Sequence, residues 1–227
     1  MNQIQMLAAL ITSPRRAFVE LEKNPRFSLP MILLLVASIG LIIWFYSTID
    51  VDAFITRALV ARGLNATQRA TAGAFMSRNT LMGSAVIGGI VGLFIIQLIS
   101  AFYFFFVYEF LDVRRSFRQW FAFTWWCSVP SLISSLASAV MIAIHRSSGS
   151  LDVLSPLSLN ALVYHFDPED SGYSLLNSIT LVQLLSLVLM VIGVHTWSQR
   201  SWALNGVVVI LPRLALYGVW AWWVFLR

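Results

Sequence analysis

An ionisable side chain inside a long apolar run is the first place to look for chemistry in this sequence. Arg213 is the clear case, because it lies ten residues into the run 203–226 and directly follows Pro212. A charge in hydrocarbon is costly and therefore usually functional. We interpret Arg213 as an intramembrane charge that anchors an anion or a partner helix. The alternative is a guanidinium that snorkels, or that binds carbonyls left without partners by Pro212.

A second set of chemically active side chains lies in the segment 145–174. It contains His145 and the run 165–170, whose sequence is His-Phe-Asp-Pro-Glu-Asp. Imidazole and carboxylate groups are common metal ligands. However, their spacing here matches no known metal-binding loop, and such charged runs are typical of solvated turns. We therefore expect no metal site and no cofactor.

Motifs that assemble catalytic groups are missing from the sequence. It has no His-Glu-x-x-His pair for a catalytic zinc, no Gly-x-Ser-x-Gly turn for a nucleophilic serine, and no Gly-x-x-x-x-Gly-Lys-Ser/Thr loop for a nucleotide. The apolar runs also contain no pair of acids for general acid–base catalysis. We predict that the protein is not an enzyme.

The elements that must hold these residues are long and apolar. Hydrophobic residues make up 59% of the 227 and charged residues 11%, whereas a soluble domain has about 25% charged residues. The mean hydropathy is +0.79. Five runs exceed the roughly 20 residues needed to cross a bilayer. We predict an all-α polytopic membrane protein, a bundle of five transmembrane helices at 29–49, 81–108, 120–144, 175–195 and 203–226.

Basic residues favour one orientation of these five spans. Segments 1–28, 109–119 and 196–202 contain eight Lys or Arg in 46 residues, and the opposite segments contain six in 62. Cytoplasmic loops carry the excess of positive charge, so we predict a cytoplasmic N-terminus. The net charge of +5 lies beside the spans, which indicates contact with anionic lipid and not with nucleic acid.

The segment 1–28, which precedes the membrane domain 29–227, is predicted to form an amphipathic interfacial helix. Ser13-Pro14 is a favoured helix start, so a second helix should begin there, with Arg15 and Arg16 contacting lipid headgroups from its first turn. The alternative is a helix packed under the bundle. The apolar stripe recurs every three or four residues, at Ile4, Leu7, Ile11, Pro14, Phe18 and Leu21.

Small residues recur on the second and third runs. Ser84, Gly88 and Gly92 follow one another at intervals of four, and the third run contains Ser131 and Ser135. This spacing allows two helices to approach closely, so we assign these five residues to a helix-packing or partner interface, such as a pore or dimer seam. The alternative is ordinary packing within the bundle, with the serines bonded to carbonyls one turn earlier.

Two local patterns indicate where elements begin and where the membrane surface lies. Asn65 with Gln68 forms a potential capping box, which predicts a helix in the segment 50–80. The apolar stretch 151–163 is predicted to fold back onto the bundle. Tryptophans near the run ends are interpreted as an interfacial belt. They are Trp44, Trp197, Trp202, Trp220, Trp222 and Trp223.

Three stretches together resemble a known family. They are Ser-Pro-Arg-Arg-Ala-Phe at 13–18, Ser-Phe-Arg-Gln-Trp at 116–120 followed by Ser-Val-Pro at 128–130, and Gly193 and Trp197 with Ala203 and Leu211-Pro212. This pattern resembles the Yip-domain family of five-span membrane proteins, first named for binding Ypt/Rab GTPases. It is most similar to the bacterial branch. The glycine that often precedes Ser-Phe is replaced here by the run 112–115.

The resemblance implies five spans, a cytoplasmic N-terminus, no catalysis, and here the bacterial inner (cytoplasmic) membrane. Eukaryotic members bind Rab proteins through a long N-terminal domain, which the 28 residues before the first run do not provide. Some bacterial members associate with ABC exporters. We therefore predict a scaffold or accessory subunit whose partners are membrane lipids and another membrane protein, such as an ABC transporter subunit, or itself. The alternative is a small transporter or a lipid-handling or membrane-shaping protein.

Overall fold

A computed structural model describes residues 1–61, 63, 65–144 and 151–226, and within them the protein is all-α. Five of its helical segments are long and apolar enough to cross a membrane: α3, α6, α7 with α8, α10 and α11. The helices in chain order are α1 (Gln3–Thr12), α2 (Pro14–Lys23), α3 (Ser28–Thr48), α4 (Val51–Ala61), α5 (Ala66–Ala74), α6 (Arg78–Phe110), α7 (Phe117–Cys127), α8 (Ser131–Ile144), α9 (Tyr173–Ser178), α10 (Leu181–Ser198) and α11 (Trp202–Phe225).

The fourth span begins six residues later than the hydropathy pattern suggests. The chain is extended at Ile179, and Thr180 forms an antiparallel bridge with Ser158. Leu159 N donates to Ile179 O at 2.7 Å, and Leu181 N donates to Leu157 O at 3.0 Å. Apolar residues before position 180 therefore form the separate helix α9, because this bridge takes the backbone out of the helical conformation.

The third span, predicted as one helix, is interrupted at 128–130. Pro130 has no amide hydrogen, and its ring would clash with a carbonyl one turn earlier. The chain turns there and restarts as α8, with Ser131 N donating to Ser128 O at 3.0 Å. Gln97 is buried in α6 and donates its Nε2 to Ser128 Oγ at 2.9 Å. Buried polar groups at the break are thus hydrogen-bonded inside the apolar region.

The chain forms two compact units, and the first contains Met1–Leu34, Leu93–Ser131 and Val182–Trp223. Its core is aromatic: Phe18, Trp120, Phe123 and Trp126 are completely buried. Large rings contribute much of the buried apolar area in such a core and prefer tilted or edge-to-face contacts. Helices α1, α2, α6, α7, α10 and α11 all contribute buried residues to this one cluster.

The second unit contains Leu35–Gly92, Leu132–Leu181 and Val224–Arg227. Its core includes Phe45, Ile55, Ile142 and Val153. Val153 lies in a 3-10 turn at Leu151–Leu154, and Ser138 Oγ donates to Leu154 O at 2.9 Å. The predicted fold-back of the stretch after residue 150 is confirmed for this part. A π-helical turn, Asn160–Tyr164, follows it.

Local capping signals predict helix starts correctly. Helix α2 begins at Pro14, as predicted, although the side chain of the non-helical Ser13 makes no capping hydrogen bond. The Asn65–Gln68 capping box is confirmed at the start of α5: Asn65 Oδ1 accepts from Gln68 N at 2.9 Å, and Gln68 Oε1 accepts from Asn65 N at 3.0 Å. These contacts involve residues three apart, which is why the sequence alone reveals them.

The predicted apolar stripe of the N-terminal segment is correct for α2 but wrong for α1. Phe18 and Leu21 of α2 are fully buried, so the helix packs on the protein as in the second of the two interpretations. In α1, however, Ile4 and Ile11 are exposed, and Met6 and Leu10 are buried instead. The break at Ser13 separates the two helices, so one continuous stripe does not describe both faces.

Candidate functional site

Four residues of the stretches that resemble the family, Phe18, Trp120, Gly193 and Trp197, meet in the core of the first unit. The ring of Phe18 lies 5.4 Å from that of Phe123, centroid to centroid. Trp197 Nε1 donates to Phe18 O at 2.8 Å. Gly193 lies against both phenylalanines, and a Cβ there would be 2.9 Å from two Phe18 ring carbons. The motif residues therefore fasten helix α2 onto α7 and α10.

The Ser-Phe-Arg-Gln-Trp stretch adds a second attachment for α2. Ser116 and Gln119 form a capping box at the start of α7. Gln119 Nε2 also donates to Glu22 O at 2.7 Å, and Arg115 forms an ion pair with Glu22 at 2.6 Å. The last turn of α2 is thus bound through both backbone and side chain. Trp120 completes the contact, with its ring 5.0 Å from that of Trp197.

The prediction that Trp197 belongs to the interfacial tryptophan belt is wrong. Its side chain is buried, as are those of Trp120, Trp125 and Trp126. By contrast, Trp44, Trp202, Trp222 and Trp223 are exposed, as a belt residue would be. Position near a span end therefore does not distinguish an interfacial tryptophan from a core one. The pairing of Trp197 with Gly193 one turn earlier is the signal that the belt interpretation overlooked.

A polar network stabilises the turn between α10 and α11. The sequence did not predict this network. Asn205 is fully buried. Its Oδ1 accepts from Tyr108 OH at 2.7 Å and from Ser198 Oγ at 3.1 Å, and its Nδ2 donates to Arg200 O at 3.1 Å. Arg200 in turn donates Nη2 to Leu111 O at 2.7 Å. One amide thus joins α6, α10 and α11.

Arg213 is half-buried beside sulfur and phenol groups. Helix α11 continues through Pro212. The Arg213 Nη1 contacts Met190 Sδ at 3.6 Å, and one turn later Tyr217 OH contacts Gln183 Oε1 at 3.3 Å. A thioether is a weak acceptor. Within the described part of the chain, no carboxylate forms an ion pair with Arg213.

The small-residue stripe of α6 faces open space. No atom of another described element lies within 4 Å of a Cβ built on Gly88 or Gly92. Gly89, by contrast, would contact Ile42 Cδ1 at 3.2 Å. Close helix packing inside the chain therefore involves Gly89 and not the predicted stripe. Ser84, Gly88, Val91 and Gly92 share one face by their spacing of three and four residues, and we call it the glycine face.

Serines after the break in the third span bond to the backbone. Ser131 Oγ donates to Ser128 O at 2.7 Å, and Ser138 Oγ donates to Ser134 O at 2.9 Å. Ser131 is exposed and Ser135 is half-buried. Back-bonding of this kind satisfies a hydroxyl without a polar ligand. The seam predicted for Ser131 and Ser135 stays a prediction.

An open groove of about 470 Å³ lies at the start of α2. It is lined by Ser13, Pro14, Arg15, Arg16, Ile192 and Trp202, and we call it the arginine groove. Arg15 Cζ lies 5.4 Å from the Trp202 ring centroid, within cation–π range. The His195 ring stacks on the Trp202 ring at 3.8 Å. Both arginines are exposed, as the predicted headgroup contact requires.

The acidic run after His165 is a capped turn. Asp167 N donates to Asp170 Oδ2 at 2.8 Å, and His165 has a left-handed backbone conformation. Over residues 1–61, 63, 65–144 and 151–226, no three His, Cys, Asp or Glu side chains are grouped to hold a metal ion. His145 lies outside the described residues.

Near α1, the Met1 ammonium and the Asn24 amide bind Glu20 and lower the pKa of that carboxyl.

The sequence profile of the Yip1 domain matches residues 8–225, nearly the whole chain. No curated protein and no solved structure matches the chain. The resemblance carried by the three motif stretches is thereby confirmed at the level of the family, whereas the bacterial branch stays a prediction.

Proposed function

Because this chain belongs to the Yip1 domain family of integral membrane proteins, we propose that it is a non-enzymatic scaffold or accessory subunit of a membrane complex. Its partner would be another membrane protein, and an ABC exporter subunit is the candidate that the bacterial relatives suggest. The proposed orientation has the N-terminus in the cytoplasm.

The open glycine face is the observation that carries this proposal. Each glycine in a helix interior costs about 1 kcal/mol relative to alanine. Inside membranes, small residues compensate by letting another backbone approach closely. Gly89 is explained by its contact with Ile42 in this chain, but Gly88 and Gly92 have no such neighbour among the described residues. A helix of a partner protein on the glycine face would explain both.

Replacing both Gly88 and Gly92 with leucine should therefore remove the partner. We expect at least a tenfold loss of the co-purifying subunit in mild detergent, because leucine prevents close approach of the backbones. Quantitative mass spectrometry of the material eluted from native membranes measures this loss. Gly218→Leu is the matched control, since Gly218 also faces open space but lies in α11.

Three outcomes would count against the scaffold. Wild-type protein that elutes alone under all gentle conditions has no stable partner. Equal recovery of the partner with the double leucine variant removes the glycine face from the interface. Loss of the partner with Gly218→Leu as well would indicate that a larger side chain disrupts the complex regardless of its position. If the co-eluting chain is a second copy, the scaffold is a homo-oligomer.

Arg213 favours a second candidate function, a small transporter or lipid-handling protein. Its Nη1 contacts the thioether of Met190, which is a weak acceptor, so an anion would be a better partner. If so, Arg213→Leu should abolish anion flux into proteoliposomes, with chloride and acetate as the probes. Folded yield should be equal or higher, because replacing a buried charge with an apolar side chain is often neutral or stabilising. Unchanged flux in the variant, or none in the wild type, would exclude this function.

A further inference from the structure

The arginine groove combines cationic and apolar surfaces in a way that fits one class of ligand. Its lining combines two exposed arginines, Arg15 and Arg16, with the apolar side chains of Ile192 and Trp202. An amphipathic molecule with an anionic head and an apolar tail would satisfy both parts. We propose that this groove binds a single anionic phospholipid of the bilayer, with its phosphate at the arginines and an acyl chain along Ile192.

The position of the groove in the fold supports a lipid as its occupant. Trp202 is the first residue of the membrane-spanning helix α11, and Ile192 lies six residues before the end of α10. Six helical residues correspond to about 9 Å along the axis. The groove therefore extends from the level of the headgroups into the upper hydrocarbon. A water-soluble phosphate would make no use of its apolar depth.

The positive charge of the groove also favours an anion from outside the chain. The two carboxylates of α2, Glu20 and Glu22, bind the Met1 ammonium and Arg115. Neither of them neutralises Arg15 or Arg16, and the first turn of α2 contains no acidic residue. Trp202 stabilises Arg15 from one side only. Guanidinium groups form strong, often bidentate hydrogen bonds with phosphate oxygens, so a phosphate fits the unfilled side.

The framework that holds the groove is buried, hydrogen-bonded and stacked. Phe18, two residues after Arg16, is fully buried, and its carbonyl accepts from Trp197 Nε1 at 2.8 Å. Trp202 is held by the stacked His195, whose Nδ1 lies 2.8 Å from Arg200 O. Preorganised groups lose little conformational freedom on binding, which favours a specific lipid site over a diffuse charge effect.

Lipid titration of the delipidated full chain tests this proposal. Phosphatidylglycerol is added in mild detergent, and bound lipid is counted by native mass spectrometry. For the Arg15→Gln, Arg16→Gln double variant we expect about thirtyfold weaker binding, because each basic residue at an anionic surface contributes about a factor of five. Arg114→Gln with Arg118→Gln is the matched control, since both of these arginines are exposed and removing them changes the net charge equally.

The proposal is supported when wild type and the control retain one phosphatidylglycerol and the groove variant loses it. It is overturned by equal losses in both variants, which indicate nonspecific attraction, and by equal binding of phosphatidylcholine. Displacement of the lipid by inorganic phosphate alone would assign the site to a free anion. The melting temperature without lipid must be the same for all three proteins, since the exposed arginines contribute little packing. None of these results depends on the proposed scaffold role.

Discussion

The Gly193→Ala variant is expected to unfold about 6–12 °C below the wild type, which corresponds to a loss of about 3 kcal/mol in unfolding free energy. The added methyl group would collide with the rings of Phe18 and Phe123, both of which are completely buried. Neither ring has free space to move into, because buried cores are close-packed. Thermal unfolding of the purified protein in detergent, followed by circular dichroism, measures the effect.

Gly206→Ala provides the matched control for this prediction. Gly206 lies in α11, and a Cβ built there meets no atom within 4 Å. Alanine is the better helix former, so this variant should be as stable as the wild type or slightly more stable. A Gly193→Ala protein with an unchanged melting temperature would show that the contact between α2 and α10 is looser than the structure indicates.

Asn205→Leu is expected to cost a similar amount, about 3 kcal/mol. Leucine fills much the same space, but it leaves the buried Tyr108 hydroxyl without its acceptor and Arg200 O without one donor. Unsatisfied buried polar groups are expensive because they lose water and gain nothing in return. Unfolding monitored by tryptophan fluorescence would report the loss, since Trp120 stacks on the Tyr108 ring.

A double-mutant cycle separates this network effect from simple loss of packing. Tyr108→Phe alone should cost about 1 kcal/mol, the value of one hydrogen bond. Combined with Asn205→Leu it should add little, because both partners of the strongest contact are then gone. A coupling energy of about 1 kcal/mol is expected. Strictly additive losses would mean that the two side chains act independently.

The Gly193 prediction assigns the family motifs a structural role. Gly193 and Trp197 hold Phe18, and Ser116 with Gln119 positions α7 against the last turn of α2. The motif residues thus fasten the N-terminal helices to the membrane-embedded core. The surfaces proposed to bind other molecules, the glycine face and the arginine groove, lie outside that core. Arg15 and Arg16 connect the two roles, because they lie within the first motif but face outward.

The fold class and several helix starts were determined by the sequence itself. Five apolar runs indicated five spans, and the described residues of the structure contain five helical segments of that kind. Ser13-Pro14 and Asn65 correctly marked the starts of α2 and α5. Hydropathy and capping depend on residues within a few positions of one another, so they can be read before the fold is known.

Which side chains meet and which stay open depends on how the helices pack together. Phe18, Phe123 and Gly193 are far apart in sequence, and no periodicity predicts their contact. The sequence around Asn205 did not reveal its role, because that role depends on a hydrogen bond from Tyr108 on another helix. The outward glycine face and the buried Trp197 follow from how the elements pack, since burial is a property of the surfaces that meet and not of residue type.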